Sequence, residues 1–167
     1  MTRDDLRQLV ADIQARQMEL DSVEVKATRG GTPRLQEVLS AFANRTGGGV
    51  VLCGLDERTD FGLVGVQNPQ RLQEEVAHLA TDGMEPALRP TFTVDEIDGR
   101  VVVAIEVDEV QAAQKPCFYK AAGLPKGAYL RVGNTNSSTT TAPPRTSRPL
   151  KVPGSWTTAA LRARCPR

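Results

Sequence analysis

The stretch from Ser40 to Asp56, Ser-Ala-Phe-Ala-Asn-Arg-Thr-Gly-Gly-Gly-Val-Val-Leu-Cys-Gly-Leu-Asp, constrains the fold more than any other part of the chain. It reads as the end of a helix, a glycine stop and a buried strand. Leu35, Val38, Leu39 and Phe42 recur at steps of three and four, which gives a helix one apolar face. Thr32 has the chemistry of an N-cap, and Pro33 suits the first helical position. Gly47 to Gly49 supply the left-handed conformation that ends helices. Val50 to Leu55 is a short apolar run of the kind found in strands covered on both faces, and Asp56 stands just past its end. Polar residues at strand ends of open α/β sheets often line the binding crevice.

Around this centre the chain alternates helix and strand. Thr2 caps a first helix with Leu6, Leu9, Val10 and Ile13 on one face, ending near Gln17. A strand follows over Ser22 to Ala27, with Val23 and Val25 on one face and Ser22, Glu24 and Lys26 on the other. Gly62 to Val66 is expected to return beside the central strand. Pro69 opens a third helix with Leu72, Val76, Leu79 and Ala80 as its stripe, stopped by Gly83 and Pro86. Thr91 to Ile97 and Arg100 to Val107 are strands joined by Asp98-Gly99, a strong hairpin signal. Lys115 to Lys120 and Ala128 to Val132 are expected to form a second hairpin around Gly123 to Gly127. The order implies a single α/β (α+β) domain, with a mixed sheet and about three helices, over residues 1–136. Residues 137–167 are rich in Ser, Thr, Pro and Arg and bury little apolar surface, so a disordered basic tail is expected there.

The 167 residues suffice for one domain with a real core. No run approaches the roughly 18 apolar residues of a membrane span, and the N-terminus lacks the apolar segment of a secretory signal. Cys53, Cys117 and Cys165 are an odd, widely spaced set, which suits reduced thiols and a cytoplasmic location. All 20 acidic residues, against 15 of the 21 Lys and Arg, lie before Asn134, leaving that body at −5 and the remainder at +6. A net acidic body binds phosphate only through a local patch or its tail.

Two sets of side chains could carry chemistry. Glu19, Glu24 and Asp56, with Lys26 beside Glu24, could hold a hard divalent cation, which requires converging carboxylate oxygens. An acid-x-Lys strand next to such a metal is a recurring nuclease arrangement. Glu19 reaches the same point only if the chain bends near Leu20-Asp21. The alternative is that Glu24 and Lys26 pair with each other and Asp56 caps a turn. The second set is basic. Arg29, Arg34 and Arg45 flank the central helix, and Lys115, Lys120, Lys126 and Arg131 gather in the second hairpin. With Lys26 they could form a phosphate-binding patch, or simply a solvated surface. Gly47 to Gly49 lack the strand-first order and the Gly-Lys-Ser/Thr of a phosphate loop. Asn44 is expected to bond local backbone and fix the turn into Gly47. His78 is given no role, and Cys53 is expected to be buried.

Several of these segments together resemble the Schlafen AlbA_2 domain, also called divergent AAA-4. They are Ala41-Phe42-Ala43-Asn44-x-x-Gly47-Gly48, Gly54-x-Asp56, Glu19-x-x-x-x-Glu24-x-Lys26, Lys115-Pro116, and Gly127-Ala-Tyr-Leu-Arg-Val-Gly-Asn134. The resemblance covers about residues 10 to 136, with Val25 where the family usually has Phe. It implies a nucleic-acid-binding domain, DNA-binding in a transcriptional-regulator setting, with DNA or RNA as partner and pairing of two copies as a family habit. It also implies an alternative. In RNA-cleaving Schlafen members, acids matching Glu19, Glu24 and Asp56 form a metal site, which would make the chain a Mg²⁺- or Mn²⁺-dependent endoribonuclease assisted by Lys26. Outside that alternative no cofactor is expected. A third reading is a protein-interaction domain with no nucleic-acid role, which the acidic body favours.

Overall fold

The structure is a computed structural model that describes residues 1–28, 31–133 and 135–138. Helix α1 spans Arg3–Arg16 and starts as expected. Thr2 accepts from the Asp5 amide while the Asp5 carboxylate accepts from the Thr2 amide, a reciprocal cap. Strand β1 (Val23–Lys26) leads to α2 (Gln36–Asn44) and β2 (Gly49–Cys53). The short strands β3 (Leu55–Asp56) and β4 (Gly62–Leu63) pair with each other, and α3 follows over Pro69–His78. After a π turn at Leu79–Gly83 come β5 (Met84–Glu85), β6 (Thr91–Ile97), β7 (Arg100–Val107), β8 (Phe118–Tyr119), β9 (Tyr129–Val132) and β10 (Thr135–Ser138).

The main sheet has the order β1-β2-β7-β6. β1 runs parallel to β2, and the other two pairings are antiparallel, so the sheet is mixed as expected. Side chains alternate across a strand, and β7 shows the result. Val102 and Ala104 pack with Leu6, Val10 and Ile13 of α1, whereas Val103, Ile105 and Val107 pack with Leu39 and Phe42 of α2 and Val76 of α3. The sheet is therefore sandwiched between α1 on one face and α2 with α3 on the other. Asp98 and Gly99, both with positive φ (49° and 71°), make the tight turn between β6 and β7.

Four local expectations differ from what is observed. α2 begins at Gln36 rather than Pro33, and its cap residue Leu35 makes no side-chain capping bond. Leu35 is fully buried, and the Thr32 side chain acts on Glu75 of α3 instead, helping to hold its carboxyl below the usual carboxylate range. At the other end α2 stops at Asn44, with Arg45 extended, before the glycines are reached. Gly48 serves a close approach: a Cβ there would lie 2.1 Å from the Val107 carbonyl oxygen. The central strand is split at Gly54 (φ 110°), whose carbonyl accepts from both Val64 and Gly65. Finally, the expected second hairpin is a single bridge, Phe118 to Ala128. β8 pairs instead with β5, and β9 pairs with β10 as a ribbon on α2. Thr135–Ser138 are thus strand, so Ser137 and Ser138 of the expected tail belong to it, and the rest of that tail, residues 139–167, lies outside the described residues.

Among the described residues no helix is long and apolar enough to cross a membrane.

Candidate functional site

β1 is an edge strand, and its alternation decides where its charges go. Val23 and Val25 face α1, so Glu24 and Lys26 face the layer that holds α2. β9 alternates likewise. Tyr129 and Arg131 turn inward over α2, while Leu130 and Val132 are exposed. The Arg131 side chain, only 2% exposed, thereby meets Glu24.

Arg131 is the centre of a dense cluster. Its Nη1 pairs with Glu24 Oε2 and donates to Asn136 Oδ1 at 3.2 Å. Its Nη2 donates to the Val23 carbonyl at 3.2 Å and lies 3.8 Å from Glu19 Oε2. Its guanidinium carbon sits 5.3 Å from the centre of the Phe42 ring, within cation–π range. The other Glu24 oxygen accepts from Lys26 Nζ at 2.5 Å. The chain does bend before β1, and Glu19 Oε1 accepts from the Val25 amide at 2.7 Å. Burial pushes the Glu19 carboxyl above the ordinary carboxylate range. The Val25 amide and Arg131 pull against this, and the nearby Glu24 and Glu57 add to it.

Asp56 plays a different part. It is buried, it caps the turn Glu57–Thr59, and its Oδ1 accepts from the Arg58 amide at 3.0 Å. The structure therefore brings Glu19, Glu24 and Lys26 together around Arg131, with Asp56 engaged in its own turn. Among the described residues no three His, Cys, Asp or Glu side chains converge as metal ligands. As arranged, the set does not fit a divalent ion, because both Glu24 oxygens and one Glu19 oxygen already hold protein donors. A cavity of about 430 Å³ opens beside the cluster, lined by Glu19, Glu24, Lys26, Glu57, Asp60 and Phe61 among others. Glu57 and Asp60 were not singled out from the sequence. Their only signal there is that they follow Asp56 in one turn.

The remaining basic residues divide by environment. Arg34 and Lys126 are exposed. Lys120 is 43% exposed and only 3.7 Å from Glu85. Lys115 is held by Glu109 at 2.5 Å and by the Asn44 carbonyl at 3.0 Å. Arg45 donates to the carbonyls of Thr46 and Gly48. Arg29 lies outside the described residues. Asn44 reaches much further than the local turn expected of it, bonding the backbone of Cys117 and Tyr129. Cys53 is buried as expected, and burial pushes the Cys53 and Cys117 thiols up to about 12, which disfavours the thiolate form.

A three-layer α/β domain, with an arginine-centred cluster at its sheet edge and cations on its outer loops, defines the class. The chain belongs to the Schlafen AlbA_2 family, whose model matches residues 19–140. Among solved structures it is similar to the N-terminal domain of a protein from Nitrosomonas europaea titled "Putative ATP-dependent DNA Helicase RecG-related Protein". The two are 28% identical with a TM-score of 0.62, over 78% of this chain and 90% of that one. It shares its fold with the DIP2311 protein from Corynebacterium diphtheriae, at 20% identity and a TM-score of 0.55, over 81% of this chain and 26% of that one. No curated protein matches it.

Proposed function

We propose that the chain is a nucleic-acid-binding module, DNA-binding in a regulatory setting, that contacts phosphates through Arg34, Lys120 and Lys126 from a cytoplasmic location. The observation that carries this reading is the likeness, over 78% of this chain and 90% of that one, to a domain whose parent is titled a DNA helicase-related protein. The exposure of these three cations supports it, since a phosphate contact needs a side chain free to leave water for the ligand. Arg131 has a different task, because its guanidinium is enclosed and already holds Glu24.

The test is fluorescence anisotropy with labelled single-stranded DNA, duplex DNA and RNA across a salt series. Three phosphate contacts on duplex DNA give a log–log salt slope of about −3, hence a roughly 40-fold loss of affinity between about 50 and 200 mM salt. Changing Arg34, Lys120 and Lys126 together to Gln should flatten that slope. Binding whose salt slope is untouched by the triple change would sink the assignment of these residues. Failure to bind any of the three probes would leave the protein-interaction reading in its place.

A further inference from the structure

An edge strand normally offers a row of unpaired backbone groups to other chains. In β1 the carbonyls of Ser22 and Lys26 accept from Val50 and Gly54, on the β2 side. Successive residues of a strand point their backbone groups to opposite sides, so Val23 and Val25 direct theirs away from the sheet. Three of those outward groups are taken. The Val23 amide donates to the Leu20 carbonyl at 2.8 Å. The Val23 carbonyl accepts from Arg131, and the Val25 amide donates to Glu19. Arg131 comes from the β9–β10 ribbon, more than a hundred residues along the chain, and Glu24 neutralises it there.

We infer that Glu19, Glu24 and Arg131 form a latch that straps the β9–β10 ribbon across the open edge of β1 and closes that edge to strand addition. Each member has a separate task. Glu19 covers the Val25 amide. Arg131 covers the Val23 carbonyl and reaches both glutamates. Glu24 supplies the buried counter-charge without which the guanidinium would be drawn back to water. On the ribbon, Asn136 lies directly opposite Arg131 and accepts from its Nη1, so both strands are tied to the same guanidinium. Losing the guanidinium contact frees the β1 edge and the ribbon beyond Tyr129 together, while Ser40 and Asn44 keep Tyr129 on α2.

Native-state hydrogen exchange on the full chain tests this. In the wild type at low denaturant, the Val25 amide and the β9–β10 ladder amides should exchange through one shared opening, of lower free energy than the opening of the β6–β7 ladder. Separate openings for Val25 and the ribbon, or one opening common to the whole sheet, would overturn the latch. Arg131→Met should speed exchange at Val25 and in the ribbon by tenfold or more while leaving β6–β7 unchanged, with Arg131→Lys falling between. If Arg131→Met unfolds the chain, the wild-type measurement still decides. Glu24→Gln should cost no further protection in an Arg131→Met background, where it relieves the repulsion between the two carboxylates. Fully additive effects of the two changes would also overturn the proposal.

Discussion

Asn44 and Cys117, on α2 and just before β8, bond each other in both directions: the Asn44 side-chain oxygen accepts from the Cys117 amide at 2.7 Å, and its nitrogen donates to the Cys117 carbonyl at 2.8 Å. The same nitrogen donates to the Tyr129 carbonyl at 3.0 Å. Ser40, one turn earlier, donates to the Cys117 carbonyl and accepts from the Tyr129 amide. One helix face thus supplies the partners that strand pairing would otherwise give to the start of β8 and β9. Asn44→Ala leaves a buried amide without its acceptor and should destabilise by about 1–3 kcal/mol. Asn44→Asp should be worse, since it sets an acceptor against two carbonyl oxygens. Urea unfolding of both variants checks the order, and an Asp variant at least as stable as the Ala variant would refute this account of the network.

Gly49 and Phe42 make a second prediction. A Cβ on Gly49 would lie 2.4 Å from Cδ1 of the Phe42 ring, closer than any real contact. Gly49 has no positive φ, so its conformation suits other residues and the objection is purely steric. Gly49→Ala should cost about 1–3 kcal/mol by overpacking. A smaller neighbour should relieve it, so Gly49→Ala with Phe42→Leu should be less destabilised than the two single changes summed. Additivity in a denaturation cycle would show that the clash is not with Phe42.

These networks also show what the sequence could and could not convey. The Asp98-Gly99 turn and the Thr2 cap were legible because each is decided within four residues. The Glu24–Lys26 pair was legible as one of two readings, because alternation in a strand puts the two residues on one face. Arg131 was not. Read alone, Tyr-Leu-Arg-Val suggests that Leu130 and Val132 turn inward and that Arg131 meets solvent. The reverse holds, with Leu130 46% and Val132 64% exposed. The deciding partner, Glu24, is 107 residues away, and no local pattern announces it. The pairing of β9 with β10 rather than β8 was hidden for a related reason: Thr135–Ser138 lacks apolar alternation and is strand because β9 lies beside it.

Glu19 predicts a pH dependence. Burial raises its folded-state pKa above the unfolded value of about 4.3. A group raised in this way binds its proton more tightly when folded, so its stabilising contribution is full below the unfolded pKa and is lost as pH rises through the folded one. Glu19→Gln keeps a carbonyl oxygen for the Val25 amide but has no charge to bury. Its stability relative to the wild type should therefore improve as pH rises from about 4 to 7. Urea midpoints for both proteins at several pH values would check this. A difference that stays flat or moves the other way would mean that attraction to Arg131 outweighs burial.

Glu24 holds Lys26 with one oxygen and Arg131 with the other, so a divalent ion must displace a guanidinium before it meets the Glu19–Glu24 pair. Mn²⁺ should therefore leave the melting temperature of the wild type unchanged relative to EDTA. A site saturated a hundredfold above its Kd would stabilise by about 2.7 kcal/mol, a shift of several degrees that is easily read. In Arg131→Gln the two carboxylates lose their buried counter-charge, and their mutual repulsion should favour a cation. There Mn²⁺ should raise the melting temperature, and Glu24→Gln should abolish the gain. Stabilisation of the wild type by Mn²⁺, lost in Glu24→Gln, would show that ion and guanidinium share the pair, and would favour the alternative reading, a metal-dependent ribonuclease. RNA cleavage by the same samples, with and without EDTA, would then decide whether the bound ion is catalytic.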